Sequence, residues 1–181
     1  MILRARRIDG DDDDSTVKVR PLDSGVVDPW LFELDGFKCE EDRVGDRAIQ
    51  SCSLTVPQDR GEIGDVADGD RAIDQLFSED QELFADAYGS EVVDWAELEI
   101  LGPVDALVWR VRSGSLDRSL TFELWTLPDG AELLEVSTRV SSDEADDVQD
   151  DLTEYLHARG FDPDAEGDTK TRAALDWFAG C

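Results

Sequence analysis

Between residues 107 and 140 apolar and polar side chains alternate, and a period of two commits a segment to a strand with one buried and one wet face. Three runs carry it, at 107–112, 119–127 and 132–140, and a further strand is expected at 96–102. Leu127-Pro-Asp-Gly-Ala131 joins the last two of the three. Pro fixes φ there and Gly tolerates positive φ, so the two runs form a hairpin. Strands are also expected at 2–8, 15–21, 30–36 and 48–56, with Asp11 to Asp14 as a solvated hairpin loop. A Gly- and Asp-rich loop at 61–69 follows. Ile73, Leu76, Phe77, Leu83, Phe84 and Tyr88 then recur at helical spacing, and Ser78-x-x-Gln81 reads as a capping box that starts a second helix. Ser142 caps a helix running to about Arg159, with Val148, Leu152, Tyr155 and Leu156 on one stripe and Gly160 as its stop. A short final helix at about 171–178 buries Leu175 and Trp177 or Phe178. The fold class expected is α+β, an antiparallel sheet with helices attached, in one domain over residues 1–181. A chain of that length buries roughly 70% of its unfolded surface, enough for one sizeable core.

Charge restricts the partners. Forty-five acidic residues stand against seventeen basic ones, a formal charge of −28, with thirty Asp, fifteen Glu and three Lys. Short hydrated carboxylates spread along the whole chain suit a surface kept solvated in molar salt, where the Debye length falls to about 3 Å. The composition therefore reads as halophilic. Nucleic acid is excluded as a partner, because phosphate backbones are bound by clustered Lys and Arg. The longest apolar runs fall far short of the ~20 residues of a membrane span, and the N-terminus has no signal peptide. No membrane partner is expected and the location expected is the cytoplasm. Cys39, Cys52 and Cys181 are an odd count without Cys-x-x-Cys, which supports neither a disulfide framework nor a zinc site. His157 sits near the end of a predicted helix, where a cation suits the dipole.

Strand parity sorts the cations. Residues i and i+2 share a face, so Arg4 with Arg6, Lys18 with Arg20, and Arg110 with Arg112 each form a pair on one side of a strand. Glu123, and then Glu135 with Arg139, follow the same alternation in the late hairpin. Cations and acids converging on one face suit a metal-bound polyphosphate, since Arg and Lys neutralise phosphoryl oxygens and carboxylates hold Mg²⁺ or Mn²⁺. The same pattern also suits cross-strand ion pairs on an open, solvated sheet.

Leu3-Arg-Ala-Arg-Arg7 followed by Thr16-Val-Lys-Val-Arg-Pro21 resembles the second and third strands of the CYTH, or triphosphate tunnel metalloenzyme, superfamily. Phe122-Glu-Leu-Trp-Thr-Leu-Pro-Asp-Gly130 with Leu134-Glu-Val-Ser-Thr-Arg139 is similar to that family's late hairpin. Thr169-Lys-Thr-Arg-Ala-Ala-Leu-Asp-Trp-Phe178 is similar to the C-terminal segment of its bacterial adenylate cyclase-like subgroup. The resemblance implies an antiparallel β-barrel, or tunnel, with helices packed outside. It also implies phosphate contacts from Arg4, Arg6, Lys18, Arg20, Arg110, Arg112, Arg139, Lys170 and Arg172, and contacts to Mg²⁺ or Mn²⁺ from Glu123 and Glu135. The family's opening Glu-x-Glu-x-Lys strand has no counterpart, so the barrel implied is incomplete, either through a truncated reading of the gene or with an open edge that a homodimer would cover. Ser137 stands where many members carry a further metal-binding Glu.

The function implied is binding, with metal-dependent hydrolysis or cyclisation, of a small-molecule triphosphate or polyphosphate. The alternatives are a non-catalytic polyphosphate- or nucleotide-binding protein and a ligand-free, salt-adapted oligomerisation domain.

Overall fold

The segments at 2–8 and 15–21 pair as an antiparallel hairpin of β1 (Ile2–Arg6) and β2 (Asp13–Val19), turned at residues 7–12, with Asp13 and buried Asp14 of the acidic run drawn into β2 rather than left in a solvated loop. β2 also pairs with the long strand β4 (Arg47–Gln58), and β4 with β3 (Phe37–Val44), giving a sheet of order β1-β2-β4-β3. This computed structural model describes residues 1–44, 47–163 and 169–180. It divides into two compact units, Met1–Ile100 and Leu101–Cys181, with the four-stranded sheet in the first.

Parity gives that sheet its two faces. Val17, Val19, Cys52 and Leu54 point one way and form the core with Leu31, Phe84 and Ala85. Phe37 and Tyr88 stack edge-on and tilted against Phe84, with centroids at 5.4 and 5.7 Å. Phe84 lies on α2 (Glu79–Tyr88), whose N-terminus is the expected capping box. The Gln81 amide does more than cap. Its Oε1 accepts from Ser78 N (3.0 Å) and Ser15 Oγ (3.1 Å), and its Nε2 donates to the carbonyls of Ser15 (3.2 Å) and Leu54 (3.0 Å). Gln81 is fully buried. One side chain thus starts the helix and ties it to both central strands.

Three expectations in this unit are corrected. Residues 30–36 form no strand: Pro29 opens a 3₁₀ turn (Pro29–Glu33) that buries Leu31. Gly36, at φ +83°, then turns the chain into β3 so close to β4 that a Cβ would sit 2.1 Å from Thr55 O. β3 escaped the pattern search because Lys38, Glu40, Glu41, Asp42 and Arg43 place charge on both of its faces, as a sheet-edge strand permits. The glycine-rich loop at 61–69 holds a short helix, α1 (Glu62–Asp68), flanked by left-handed Gly61 and Gly69. Residues 96–102 join no sheet; Asp94 there caps a 3₁₀ turn (Trp95–Glu97).

The cysteine reading is corrected as well. Cys39 on β3 lies directly across from Cys52 on β4, and the two form a disulfide with Cα atoms 4.0 Å apart. The pairing was hidden because β3 was. Cys181 lies outside the described residues.

In the second unit the three alternating runs form the sheet β5 (Asp105–Ser113), β6 (Arg118–Thr126) and β7 (Glu132–Ser137), in that order. The Pro-Asp-Gly turn closes as expected, with Leu127 N donating to Ala131 O and Gly130 N to Leu127 O, both at 2.9 Å. α3 (Ala145–His157) starts two residues later than expected, behind Glu144, whose Oε2 accepts from Ser141 Oγ at 2.7 Å. Left-handed Gly160 ends it, and Phe161 N donates back to Leu156 O. α4 (Lys170–Ala179) is the final helix, capped by Thr169, and it buries Ala174 while Leu175 and Trp177, expected inside, are exposed. The fold is α+β with two antiparallel sheets, and no closed barrel is detected among the described strands.

Two predictions follow from the first unit. Gln81→Leu removes four buried hydrogen bonds that join the helix start to both central strands, so chemical denaturation should show a loss of about 3 kcal/mol. Reducing Cys39–Cys52, thirteen residues apart, should lower stability by about 3 kcal/mol and make both thiols titratable in the unfolded protein.

Candidate functional site

Arg4 and Arg6 lie on the face of β1 opposite the core, in register with Thr16 and Asp14 of β2. Lys18 shares this face. Its row continues through Ser53 on β4 to Lys38 on β3, so two lysines flank one serine at about 10 Å from each other, two strand spacings. Thr16, Ser51 and Ser53 are buried on the same side, and the hydroxyls of Thr16 and Thr55 lie 2.9 Å apart. Sequence reading missed Lys38 because it missed β3.

Carboxylates already answer part of this charge. Arg6 holds Asp14 with both ends of its guanidinium, Nε donating at 2.9 Å. Lys18 Nζ donates to Asp42 Oδ2 at 3.0 Å and Lys38 pairs with Glu40 at 2.9 Å. Arg20 follows the end of β2, half-buried and outside the strand register.

In the second unit parity places Arg110, Arg112, Glu123 and Glu135 on one face, with Glu123 directly across from Glu135. Lys170, the first residue of α4, inserts its ammonium between the two glutamates, donating to Glu123 Oε2 and, at 2.8 Å, to Glu135 Oε1. Its Nζ also stands 5.1 Å from the centroid of the Trp125 ring. At the other end of α4, Trp177 stands near enough to Asp129 in the hairpin turn to lower its carboxyl below the usual aspartate range. α4 therefore lies along the polar side of the β6–β7 hairpin. Arg112 pairs with Asp117 at 2.7 Å, Arg172 with Asp176 one helical turn on at 2.8 Å, and Arg139 lies past the end of β7. His157 ends α3 with Nε2 3.8 Å from Asp162 Oδ1.

The site residues thus fall into two sets, Arg4, Arg6 and Lys18 in one unit and Arg110, Arg112, Glu123, Glu135 and Lys170 in the other. Within the second set, one phosphate-binding expectation and two metal-binding expectations meet in a single ion pair. That arrangement does not fit a divalent cation. Waters and phosphate oxygens can complete the shell of a hard ion held by two carboxylates, but here both carboxylates face an ammonium, which such an ion would have to displace.

No family model matches the chain, and neither a curated protein nor a solved structure matches it.

Asp129 gives the second unit a pH response. Its carboxylate accepts from Ala131 N (2.9 Å), which, with Trp177 nearby, holds it below the usual aspartate range. A depressed folded value means that the contribution is present above the unfolded pKa and disappears as pH falls through the folded one. Thermal melts of Asp129→Asn should therefore lie below those of the parent at neutral pH, with the gap closing in acid.

Proposed function

We propose that this chain binds a compact polyanion, tripolyphosphate or the triphosphate of a nucleotide, on the polar face of the β1-β2-β4-β3 sheet. The observation that carries the reading is the gathering of Arg4, Arg6, Lys18 and Lys38 on one face, with Thr and Ser hydroxyls between them, in a chain of net charge −28. Arginine offers a phosphate two parallel N–H donors and lysine a mobile point charge, while hydroxyls donate to the oxygens that remain. Asp14 and Asp42 hold two of these cations in pairs that are partly exposed. A pair partly exposed on both sides, as Lys18–Asp42 is, contributes about 1 kcal/mol or less, so a ligand with several charged oxygens can replace it, whereas buried Asp14 stays with Arg6.

Binding without turnover is the reading favoured over metal-dependent hydrolysis or cyclisation, because Lys170 occupies Glu123 and Glu135. The metal chemistry implied by the CYTH resemblance would require that ammonium to leave, and no step is derived through it.

Calorimetric titration with tripolyphosphate in molar KCl, with and without Mn²⁺, tests the proposal. Binding that needs no Mn²⁺ is expected, and Arg4→Ala and Lys18→Ala should each weaken it about 10-fold or more. Absence of binding to any polyphosphate would leave the ligand-free domain as the better description, whereas Mn²⁺-dependent release of phosphate would restore the enzyme.

A further inference from the structure

The two faces of the second sheet differ sharply. α4 lies against the polar one, whereas on the other Leu107 (59% exposed), Trp109 (45%), Val111 (50%) and Leu134 (46%) stand largely in solvent. The register brings Trp109, Val111 and Leu134 together with Phe122 and Leu124 around a shallow hollow of about 460 Å³ lined by apolar side chains, with Leu107 beside it. No charged residue interrupts the patch. At one end Asp105 and Glu132 flank Thr126 on the same face, and at the other Arg118 shares that face with its partner Glu144 at 3.1 Å. Eight residues of β6 separate the ends, about 27 Å.

We infer that this face is a homodimer interface, covered by the same face of a second copy in a two-sheet sandwich. Two-fold packing of a sheet face on its own copy can run the strands in the same or in opposite directions. The same direction would bring both copies' Asp105 and Glu132 together, four carboxylates at one end. Opposite directions part the two acidic pairs and set each over the partner's Arg118–Glu144 pair instead, so avoidance of the four-carboxylate end selects the antiparallel arrangement. Each copy presents on the order of 400 Å² of apolar surface, which with a polar rim reaches the small end of stable interfaces. A chain carrying −28 repels its copy in dilute buffer, so association strengthens as salt screens that repulsion.

Sedimentation equilibrium of the full chain at micromolar concentrations, in a KCl series reaching the molar range, tests the interface. A monomer–dimer equilibrium that tightens with KCl is expected. Trp109→Lys and, separately, Leu134→Lys should each weaken it by about 30-fold or more, with far-UV circular dichroism unchanged because both side chains are about half exposed already. Asp105→Lys combined with Glu132→Lys leaves the apolar patch whole and should weaken the dimer about 10-fold by setting lysines over the partner's Arg118. A monomer at every salt concentration, or a dimer indifferent to the two apolar variants, would overturn the interface. A dimer that loses nothing to the charge variant would overturn the antiparallel arrangement.

Discussion

A β-strand sends successive side chains to opposite faces, and a chain with forty-five acidic residues can bury apolar surface only where that alternation keeps its charges on the other side. Both sheets obey this constraint, with different outcomes. In the first unit the apolar face of β2 and β4 is closed by α2 and by Leu31, and the cations of β1 and β2 are left on the reverse. In the second, the helix with a lysine at its start lies against the charged face, and the apolar face is left open around Leu107, Trp109, Val111 and Leu134, while Leu120 on the same face is buried. A one-residue slip in any of these strands would put Val17 among the lysines or Glu123 among Trp109 and Phe122.

Polar groups supply the specificity that a modest apolar core does not. Gln81 is buried with four hydrogen bonds that reach the helix start and both central strands. A buried amide left without partners costs more than its hydrogen bonds contribute when made, so it penalises every alternative seating of α2 on the sheet. The Cys39–Cys52 bond acts on the neighbouring pair of strands, holding the edge strand β3, whose own side chains bury little, against β4. Disulfides persist in oxidising surroundings, which sets this bond against the cytoplasmic location expected from composition.

The candidate ligand face and the intramolecular ion pairs are two states of one arrangement. Arg6 with Asp14 and Lys18 with Asp42 satisfy each other in the protein alone, the outcome expected of charges on a wet sheet, yet the same cations remain the densest array of donors on the first unit's polar face. In the second unit Lys170 is better held: it is mostly buried, answers two glutamates and stands over an indole ring. The partly exposed Lys18–Asp42 pair exchanges for an incoming anion at little cost, whereas breaking a partly buried triad leaves carboxylates facing each other. That difference is why anion binding is assigned to the first sheet and metal chemistry is not assigned to the second.

What the sequence determined by itself was local. The hairpin at Pro128-Asp-Gly130, the capping box of Ser78 and Gln81, the stop at Gly160 and the parity of Arg4 with Arg6 or Arg110 with Arg112 each follow from a few neighbouring residues, whose backbone preferences and strand period do not depend on the rest of the chain. The edge strand β3, the 3₁₀ turn at Pro29 and the helix between Gly61 and Gly69 carried no comparable pattern, because charges on both faces or a single buried residue leave periodicity nothing to register. Tertiary structure alone decided that Cys39 meets Cys52, that Lys38 joins Lys18 across Ser53, and that Lys170 lies between Glu123 and Glu135. Each of these contacts is set by strand register or helix docking between residues distant in sequence, and those are chosen by the burial of whole faces rather than by the residues that meet.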